Sequence, residues 1–196
     1  MGLKTIIFDF DGTLANCKEL HQYAFRTAVE KYAPDCVYKD ELIEGRPTLE
    51  KIKILNAYGA NLHVDKVNIL KQTLTQELLT DYIKYNKDVH NTIEKLSKSY
   101  KVCLASNATE LFIYRSLDIM QIKDYFFKIN TATEFPAKPD PITFYDCMRA
   151  TGSGSATTLI VEDSEVGINC AKSTGANVCE VADVSDMLKK MEKYYA

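Results

Sequence analysis

Residues 3–14, LKTIIFDFDGTL, decide the fold of this chain. An apolar run ends at Phe8, and two carboxylates, Asp9 and Asp11, follow it directly, with Gly12 next. Two acids that are separated by a single residue cannot both enter a dry core without a large desolvation cost. At the carboxyl end of a central strand they face the crevice in which α/β proteins bind ligands, and Gly12 permits a sharp exit of the backbone. The stretch predicts a buried strand that ends in an acidic site, with a solvated, helix-capping turn as the alternative.

Apolar runs that could form further strands occur at residues 101–105, 127–131, 157–161 and 176–181. Continuous runs of this kind suit strands that are covered on both faces. Helical patterns separate these runs and end the chain, at residues 110–120, 141–151, 165–174 and 186–194. Strands that alternate with helices predict an α/β fold, here a Rossmann-like doubly wound parallel sheet.

The interval between the first two predicted strands is far longer than a single crossover connection requires. Most of this interval has sequence patterns that predict helices, at residues 18–32, 40–44, 48–58 and 64–85. In the last pattern, Val67, Leu70, Leu74 and Leu78 recur at three- and four-residue steps and form one apolar face. We therefore predict an inserted α-helical cap domain, residues 15–86, and a catalytic core formed by residues 1–14 and 87–196.

The composition excludes several classes of protein. A formal charge of −3 and the absence of a Lys/Arg block argue against nucleic acid as a partner, because binding to a phosphate backbone needs a basic surface. No apolar stretch approaches the length of a membrane span or of a signal peptide. Six cysteines without metal-site spacing fit a reducing compartment. These features predict a cytoplasmic protein with a small-molecule partner and no membrane association.

A second acidic pair, Glu162 and Asp163, follows the predicted strand at 157–161. Carboxylates gathered at one sheet edge repel each other, and a hard divalent cation relieves that repulsion. Mg²⁺ prefers oxygen ligands and completes its coordination with substrate phosphate. The two pairs together predict a Mg²⁺ site. The alternative is that Asp163 or Ser164 only caps the helix that begins at Glu165.

Groups that could bind a phosphate follow two other strands. Ser106 and Asn107 come directly after the run at 101–105, and Lys138 lies in the loop after the run at 127–131. A Ser at a strand end is commonly a helix cap, and a Lys in a loop is commonly solvated. Because both follow strands whose neighbours bear the acids, we predict that Ser106, Asn107 and Lys138 bind substrate.

Four segments of the chain resemble the haloacid dehalogenase superfamily of phosphohydrolases: DFDGTL at 9–14, LASN at 104–107, AKPDP at 137–141 and VEDSEVGINCAKSTGA at 161–176. Their order and spacing both agree with the family pattern, and together they cover almost the whole chain. The long insertion after the first strand is similar to the branch with a helical cap, which includes beta-phosphoglucomutase and phosphoglycolate phosphatase.

This resemblance implies a role for each matching residue. Asp9 would attack phosphorus, Asp11 would serve as general acid and base, and Ser106 and Lys138 would hold the phosphoryl group. The implied Mg²⁺ ligands are Asp9, the carbonyl of Asp11, Glu162 and Asp163. A carboxylate nucleophile splits a difficult hydrolysis into the formation and breakdown of an aspartyl-phosphate.

Three positions in the predicted cap bear on substrate recognition. Asn16 stands where relatives often have an acid, which leaves the hinge contacts undefined. Arg46, in the segment Gly45-Arg46-Pro47, matches a loop that often contacts substrate, so we predict substrate binding, with a plain surface residue as the alternative. His21 matches a position that is often His in relatives, and we interpret it as structural.

The sequence thus predicts a Mg²⁺-dependent phosphatase that hydrolyses a small phosphorylated metabolite through an aspartyl-phosphate. A sugar phosphomutase of the beta-phosphoglucomutase type is the nearest alternative, because it shares every core residue named above. A phospho-acceptor domain of a signalling pathway is a distant alternative, since such domains are shorter and lack the helical insertion.

Overall fold

The computed structural model describes residues 2–43 and 46–195 and contains one five-stranded sheet. Its strands are β1 (Thr5–Phe8), β2 (Lys101–Ala105), β3 (Lys128–Asn130), β4 (Thr158–Glu162) and β5 (Asn177–Glu180). They pair in the order β3-β2-β1-β4-β5, and every pairing is parallel. The predicted parallel α/β fold is confirmed, with the strand that bears the DFDGTL motif at the centre of the sheet.

The register of the strands brings their carboxyl ends to one level. Phe8, the last residue of β1, pairs with Leu104 of β2 and with Val161 of β4. The residues that follow these three therefore emerge side by side at one edge of the sheet. That edge is where the sequence places its acids and the Ser106-Asn107 pair.

Nine α-helices lie among the described residues: α1 (Lys18–Tyr32), α2 (Thr48–Ala57), α3 (Val64–Glu77), α4 (Leu79–Tyr82), α5 (Lys87–Ser97), α6 (Glu110–Met120), α7 (Ile142–Thr151), α8 (Glu165–Ser173) and α9 (Val184–Met191). None of them combines the length and the hydrophobicity needed to span a bilayer. The cytoplasmic location stays a prediction.

The chain divides into two compact units. The core unit comprises the residues up to Cys17 and those from Ile83 onward, and the helical unit comprises Lys18–Tyr82. In the core unit, apolar side chains of the central strands, such as Ile7 and Ile160, pack with Phe144 of α7 and Ala171 of α8. That packing fixes α7 and α8 against the central strands of the sheet.

The helical unit has an apolar core of its own. Phe25 and Val29 of α1, Ile52 and Leu55 of α2, and Val67 of α3 are all buried in it. Val67 lies on the apolar face that predicts the helix at 64–85, and the other four residues lie within the predicted helices at 18–32 and 48–58. The assignment of residues 15–86 as a cap over an active site stays a prediction.

Two helices differ from their prediction. Helix α5 was not predicted, although Asn86 caps it with side-chain bonds to the amides of Asp88 and Val89. The predicted helix at 64–85 is divided into α3 and α4. Near the end of α3, the Thr75 hydroxyl donates to the Lys71 carbonyl four residues back, a bond that bends helices. The predicted helix at 40–44 is a 3₁₀ turn at Asp40–Leu42, and its end at Glu44 lies outside the described residues.

Candidate active site

The ammonium group of Lys138 is the centre of the candidate site. It donates to Asp9 Oδ1 at 2.5 Å, to the Ala105 carbonyl at 3.0 Å and to Glu162 Oε1. A lysine has three N–H donors, so these three acceptors satisfy all of them. Asp9 follows β1, Ala105 ends β2 and Glu162 ends β4. A single side chain thus joins the ends of three neighbouring strands.

The two acids of the first motif are held differently. Asp9 is buried, and its backbone N–H continues the ladder to the Val161 carbonyl. Asp11 is half-buried, and its Oδ1 accepts the N–H of Cys17 at 2.7 Å. One acid is thus fixed in the site's interior and the other at its rim, and such different environments allow two carboxylates to take separate tasks.

Glu162 is fully buried, and the start of α8 is built around its carboxylate. Its second oxygen, Oε2, accepts from the Ser164 hydroxyl at 3.2 Å. The same hydroxyl accepts the N–H of Gly167 at 3.1 Å and so caps α8. A Cβ on Gly167 would lie 2.2 Å from three atoms of the Glu162 carboxyl group. Ser164 is therefore a helix cap, as the alternative interpretation proposed, and also a partner of the buried acid.

Asp163 approaches the first motif closely enough to require a glycine there. A Cβ on Gly12 would lie 2.1 Å from Asp163 Oδ2, and Gly12 has φ of +89°, a conformation that L side chains rarely adopt. The Thr13 hydroxyl donates to Asp163 Oδ1 at 3.4 Å. Glycine at position 12 thus permits both the turn of the backbone and the close approach of the Asp163 carboxylate.

The carboxylates of Asp9, Glu162 and Asp163 form a group that fits a divalent cation. One oxygen of each lies within 4.8 Å of the others. Three carboxylates face one ammonium, so the group has an excess of negative charge, and oxygen donors are those that Mg²⁺ prefers. The carboxylate of Asp11 is not part of this group, and the resemblance implied only its backbone carbonyl as a ligand.

The pKa values reflect this excess of acid. Burial raises the pKa of Asp9 well above its usual range, and the charge of Glu162 raises it further, while Lys138 offsets only part of the effect. Burial and Glu162 also raise the pKa of Asp163 to about 6. Burial alone would lower the pKa of Lys138, but Asp9 and Glu162 outweigh it and keep that pKa above its ordinary value. Lys138 is therefore a cation at neutral pH.

Ser106 and Asn107 follow β2, as the sequence predicted. Ser106 is buried, and its backbone N–H bonds to the Asn130 carbonyl at the end of β3. Its hydroxyl accepts the N–H of Ala108 at 3.1 Å, which places it in a tight turn before α6. Asn107 is exposed, and its carboxamide bonds to the backbone of Lys138. Their binding of substrate stays a prediction.

Arg46 and His21 belong to the helical unit. Arg46 forms an ion pair with Glu50, four residues further along, and both side chains are about half exposed. Its contact with substrate stays a prediction, and its neighbour Gly45 lies outside the described residues. Burial lowers the pKa of His21 to about 3, and the charges of Lys71 and Lys51 act in the same direction. The His21 ring is therefore neutral at physiological pH.

Two contacts at the site were not anticipated from the sequence. The first is the close packing of Gly167, the third residue of α8, against Glu162, which the helical pattern at residues 165–174 does not reveal. The bond from the Cys17 N–H to Asp11 had no signal in the sequence, because a backbone donor can serve any residue type. A glycine inside a helix is unfavourable by about 1 kcal/mol relative to alanine, and that cost is itself a signal of close packing.

Known proteins place the chain in a family. Residues 6–181 match the family described as haloacid dehalogenase-like hydrolase. The pyrophosphatase PpaX of Bacillus cereus is 25% identical over 93% of this chain and 84% of its own length.

Solved structures share the fold. CbbY of Rhodobacter sphaeroides, in complex with phosphate, has a TM-score of 0.79 at 20% identity and covers 91% of this chain and 86% of its own. The beta-phosphoglucomutase of Clostridium difficile has a TM-score of 0.78 at 19% identity, with 95% and 88% covered. The family match spans most of the chain and includes all four motifs of the site, and the chain therefore belongs to the haloacid dehalogenase-like hydrolases.

Proposed function

We propose that this enzyme is a Mg²⁺-dependent phosphatase that hydrolyses a small phosphorylated metabolite through an aspartyl-phosphate on Asp9. The observation that carries the proposal is the buried contact of Lys138 with both Asp9 and Glu162, beside the third acid Asp163. A carboxylate nucleophile, a buried cation and an acidic metal site are the parts that phosphoryl transfer through an aspartyl-phosphate uses.

The protein's own residues divide the first step between them. A carboxylate oxygen of Asp9 forms a bond to phosphorus as the bond from phosphorus to the leaving oxygen breaks. Asp11 gives its proton to that leaving oxygen. Lys138, held within reach of Asp9, stabilises the negative charge on the transferring group, and the Ser106 hydroxyl donates to a phosphoryl oxygen. Bound Mg²⁺, held by Asp9, Glu162 and Asp163, would neutralise charge on the phosphoryl oxygens.

The second step restores the enzyme. Water attacks the phosphorus of the aspartyl-phosphate and loses its proton to Asp11, and the bond from phosphorus to Asp9 breaks. Phosphate leaves, Asp9 is again a carboxylate and Asp11 again carries a proton. The Cys17 N–H orients the Asp11 carboxylate for both proton transfers.

The observations support a class of substrate, small phosphorylated molecules, and no individual compound within it. The relative PpaX is described as a pyrophosphatase, so pyrophosphate belongs in any panel of candidate substrates. A phosphomutase would use the same core residues and would return the phosphoryl group to a second sugar hydroxyl instead of to water. The family match to hydrolases favours an enzyme over the signalling domain considered from the sequence.

The test is a panel of phosphorylated metabolites, including pyrophosphate and hexose phosphates, with Mg²⁺ and with chelator. We expect phosphate release that requires Mg²⁺ and that Ca²⁺ inhibits, since Ca²⁺ takes longer bonds and more ligands. Asp9→Asn removes the nucleophile, and Asp124→Asn makes the same change at an exposed position of the core unit. Full activity in excess chelator, or in folded Asp9→Asn, contradicts the proposal. Isomerised sugar phosphate without free phosphate identifies a mutase.

Arg46 has a separate test, because the core residues hold the phosphoryl group and a residue of the helical unit can read only the rest of the substrate. Arg46→Ala is expected to lower kcat/KM for the best metabolite roughly ten- to hundred-fold, the value of a lost charge-assisted contact. A small aryl phosphate should lose much less. Equal losses on both substrates indicate a structural role, and no loss on either indicates a surface residue paired with Glu50.

A further inference from the structure

Asn107 forms a reciprocal pair of hydrogen bonds with one residue of a distant loop. Its Oδ1 accepts the backbone N–H of Lys138 at 2.7 Å, and its Nδ2 donates to the backbone carbonyl of Lys138 at 3.2 Å. Both ends of the carboxamide are thus engaged with the peptide groups on either side of one Cα. The two residues are 31 positions apart in the chain, so this contact exists only in the folded protein.

The position of the Lys138 backbone matters because the ammonium at the end of its side chain is held by three contacts. The ammonium meets Asp9 at 2.5 Å and the Ala105 carbonyl at 3.0 Å, and it also meets Glu162. Its side chain is 3% exposed. A lysine side chain loses much conformational entropy when it is held in one geometry. A backbone fixed in place keeps that geometry populated, whereas a mobile loop would lose the three contacts for part of the time.

The segment between β3 and α7, which contains Lys138, is also anchored at both of its ends. The buried Asn130 side chain donates to the Thr143 carbonyl at 2.9 Å and to Asp146 Oδ2 at 3.2 Å, which ties the end of β3 to α7. Those bonds fix where the segment begins and ends. Asn107 is the side chain that fixes the backbone of Lys138 itself between these anchors.

We propose that Asn107 is a positioning residue that holds the Lys138 backbone so that the lysine ammonium stays at Asp9, instead of the substrate contact predicted from the sequence. The inference rests on the proposed function for its catalytic consequence. We call the two bonds between Asn107 and Lys138 the asparagine clasp. Asn107 is exposed, but its removal leaves the N–H and the carbonyl of Lys138 without this partner, so we expect a moderate loss of stability and compare the variants below their melting temperatures.

The test is a double-mutant cycle of Asn107→Ala and Lys138→Ala, measured by phosphate release and by the affinity for inorganic phosphate. If Asn107 acts through Lys138, Asn107→Ala alone lowers kcat/KM about ten-fold, the value of two neutral hydrogen bonds. In the Lys138→Ala background, the same change then has almost no further effect. A direct substrate contact predicts a further loss of about ten-fold in that background, and this result overturns the proposal.

Two further variants control the cycle. Asn107→Asp keeps an acceptor for the Lys138 N–H and loses the donor to its carbonyl, so we expect an intermediate loss. Asn56→Ala breaks the same kind of reciprocal pair, which Asn56 makes with the N–H and carbonyl of Leu62 in the helical unit. That variant should keep phosphate affinity unchanged. A loss in Asn56→Ala as large as that in Asn107→Ala shows a general effect of removing an asparagine and contradicts the proposal.

Exchange of the Lys138 amide proton with solvent separates this inference from the proposed function. The Lys138 N–H bonds to Asn107, so its exchange rate should rise at least ten-fold in Asn107→Ala, while the amide of Leu62 should not change. If the wild-type enzyme releases phosphate from no substrate, the proposed function fails and the exchange rate alone decides whether the clasp holds the lysine. An unchanged exchange rate overturns the proposal in either case.

Discussion

Two aspartates of the core unit, Asp9 and Asp146, are both 7% exposed, yet their environments are opposite. Among the residues that the structure describes, Asp9 pairs with one cation, Lys138, which it shares with Glu162. Burial and the charge of Glu162 raise its pKa. Asp146 lies on α7 among several donors, and there its pKa falls.

The partners of Asp146 explain the direction of its pKa. Burial alone would raise the pKa, but hydrogen bonds from Arg149 and Asn130 and the charge of Lys128 outweigh it. Two cations and an amide thus serve one carboxylate. Equal exposure to solvent therefore does not imply an equal role. At Asp146 the charge is balanced and stabilises the fold, whereas at Asp9 an excess of negative charge is retained that a bound metal ion can relieve.

Asp9→Asn should show this contrast most clearly, because we expect it to lower activity without lowering the free energy of unfolding. An amide of the same shape cannot attack phosphorus, so we expect kcat to fall by several orders of magnitude. In chelator at neutral pH, the free energy of unfolding should stay equal or rise, because one of three crowded carboxylates is removed. Mg²⁺ should stabilise the wild type against denaturant more than it stabilises the variant. A marked loss of stability in chelator contradicts this account of Asp9.

Gly167→Ala tests whether the packing at Glu162 is as tight as the contacts indicate. The new methyl group would lie 2.2 Å from the Glu162 carboxyl group, which bonds to Lys138, so either that carboxylate or the start of α8 must shift. We expect a loss of about 1–3 kcal/mol in the free energy of unfolding and a clear fall in kcat. Gly154→Ala is the control, since a Cβ there meets nothing within 4 Å. If Gly167→Ala is as stable and as active as the control, the packing argument is wrong.

Asp146→Ala should show the reverse pattern to Asp9→Asn. It removes the acceptor for Asn130 and Arg149, and we expect the free energy of unfolding to fall by roughly 1.5–3 kcal/mol, the range for hydrogen bonds to a charged group. Phosphate release should stay within a few-fold of the wild type below the melting temperature. A hundred-fold loss of activity in a folded variant means that Asp146 supports the site directly, and the contrast between the two aspartates then fails.

The pH dependence of stability gives the smallest expected effect. A depressed pKa means that ionised Asp146 stabilises the folded state above the unfolded pKa of about 3.9. This contribution is lost as the pH falls through the lower pKa of the folded state. The difference in unfolding free energy between wild type and Asp146→Asn should therefore be constant from about pH 6 to 8 and shrink below about pH 4. Urea titrations at these pH values measure it, and a difference that grows in acid contradicts the assignment.

Much of the fold and of the candidate site was predictable because the signals are local. An apolar run followed by acids indicates a strand end, and this pattern located Asp9, Glu162 and Asp163. All five strands were predicted within a few residues, since buried parallel strands are continuous apolar runs. Helix α5 was missed although its cap, Asn86, and its buried Val89, Ile93 and Leu96 carry a helical signal.

The sequence by itself determined the parallel α/β class, the helical insertion and the strand ends at which Asp9, Glu162 and Asp163 lie, because residue type and short-range spacing set these features. The tertiary structure alone decided which charges meet. Lys138 and Asp9 are 129 positions apart, and only the order and register of the strands bring them to 2.5 Å. The same is true of Asn107, whose carboxamide could serve a substrate or a loop. Local patterns state what a side chain can bind, and the packing of distant segments selects the partner that it does bind.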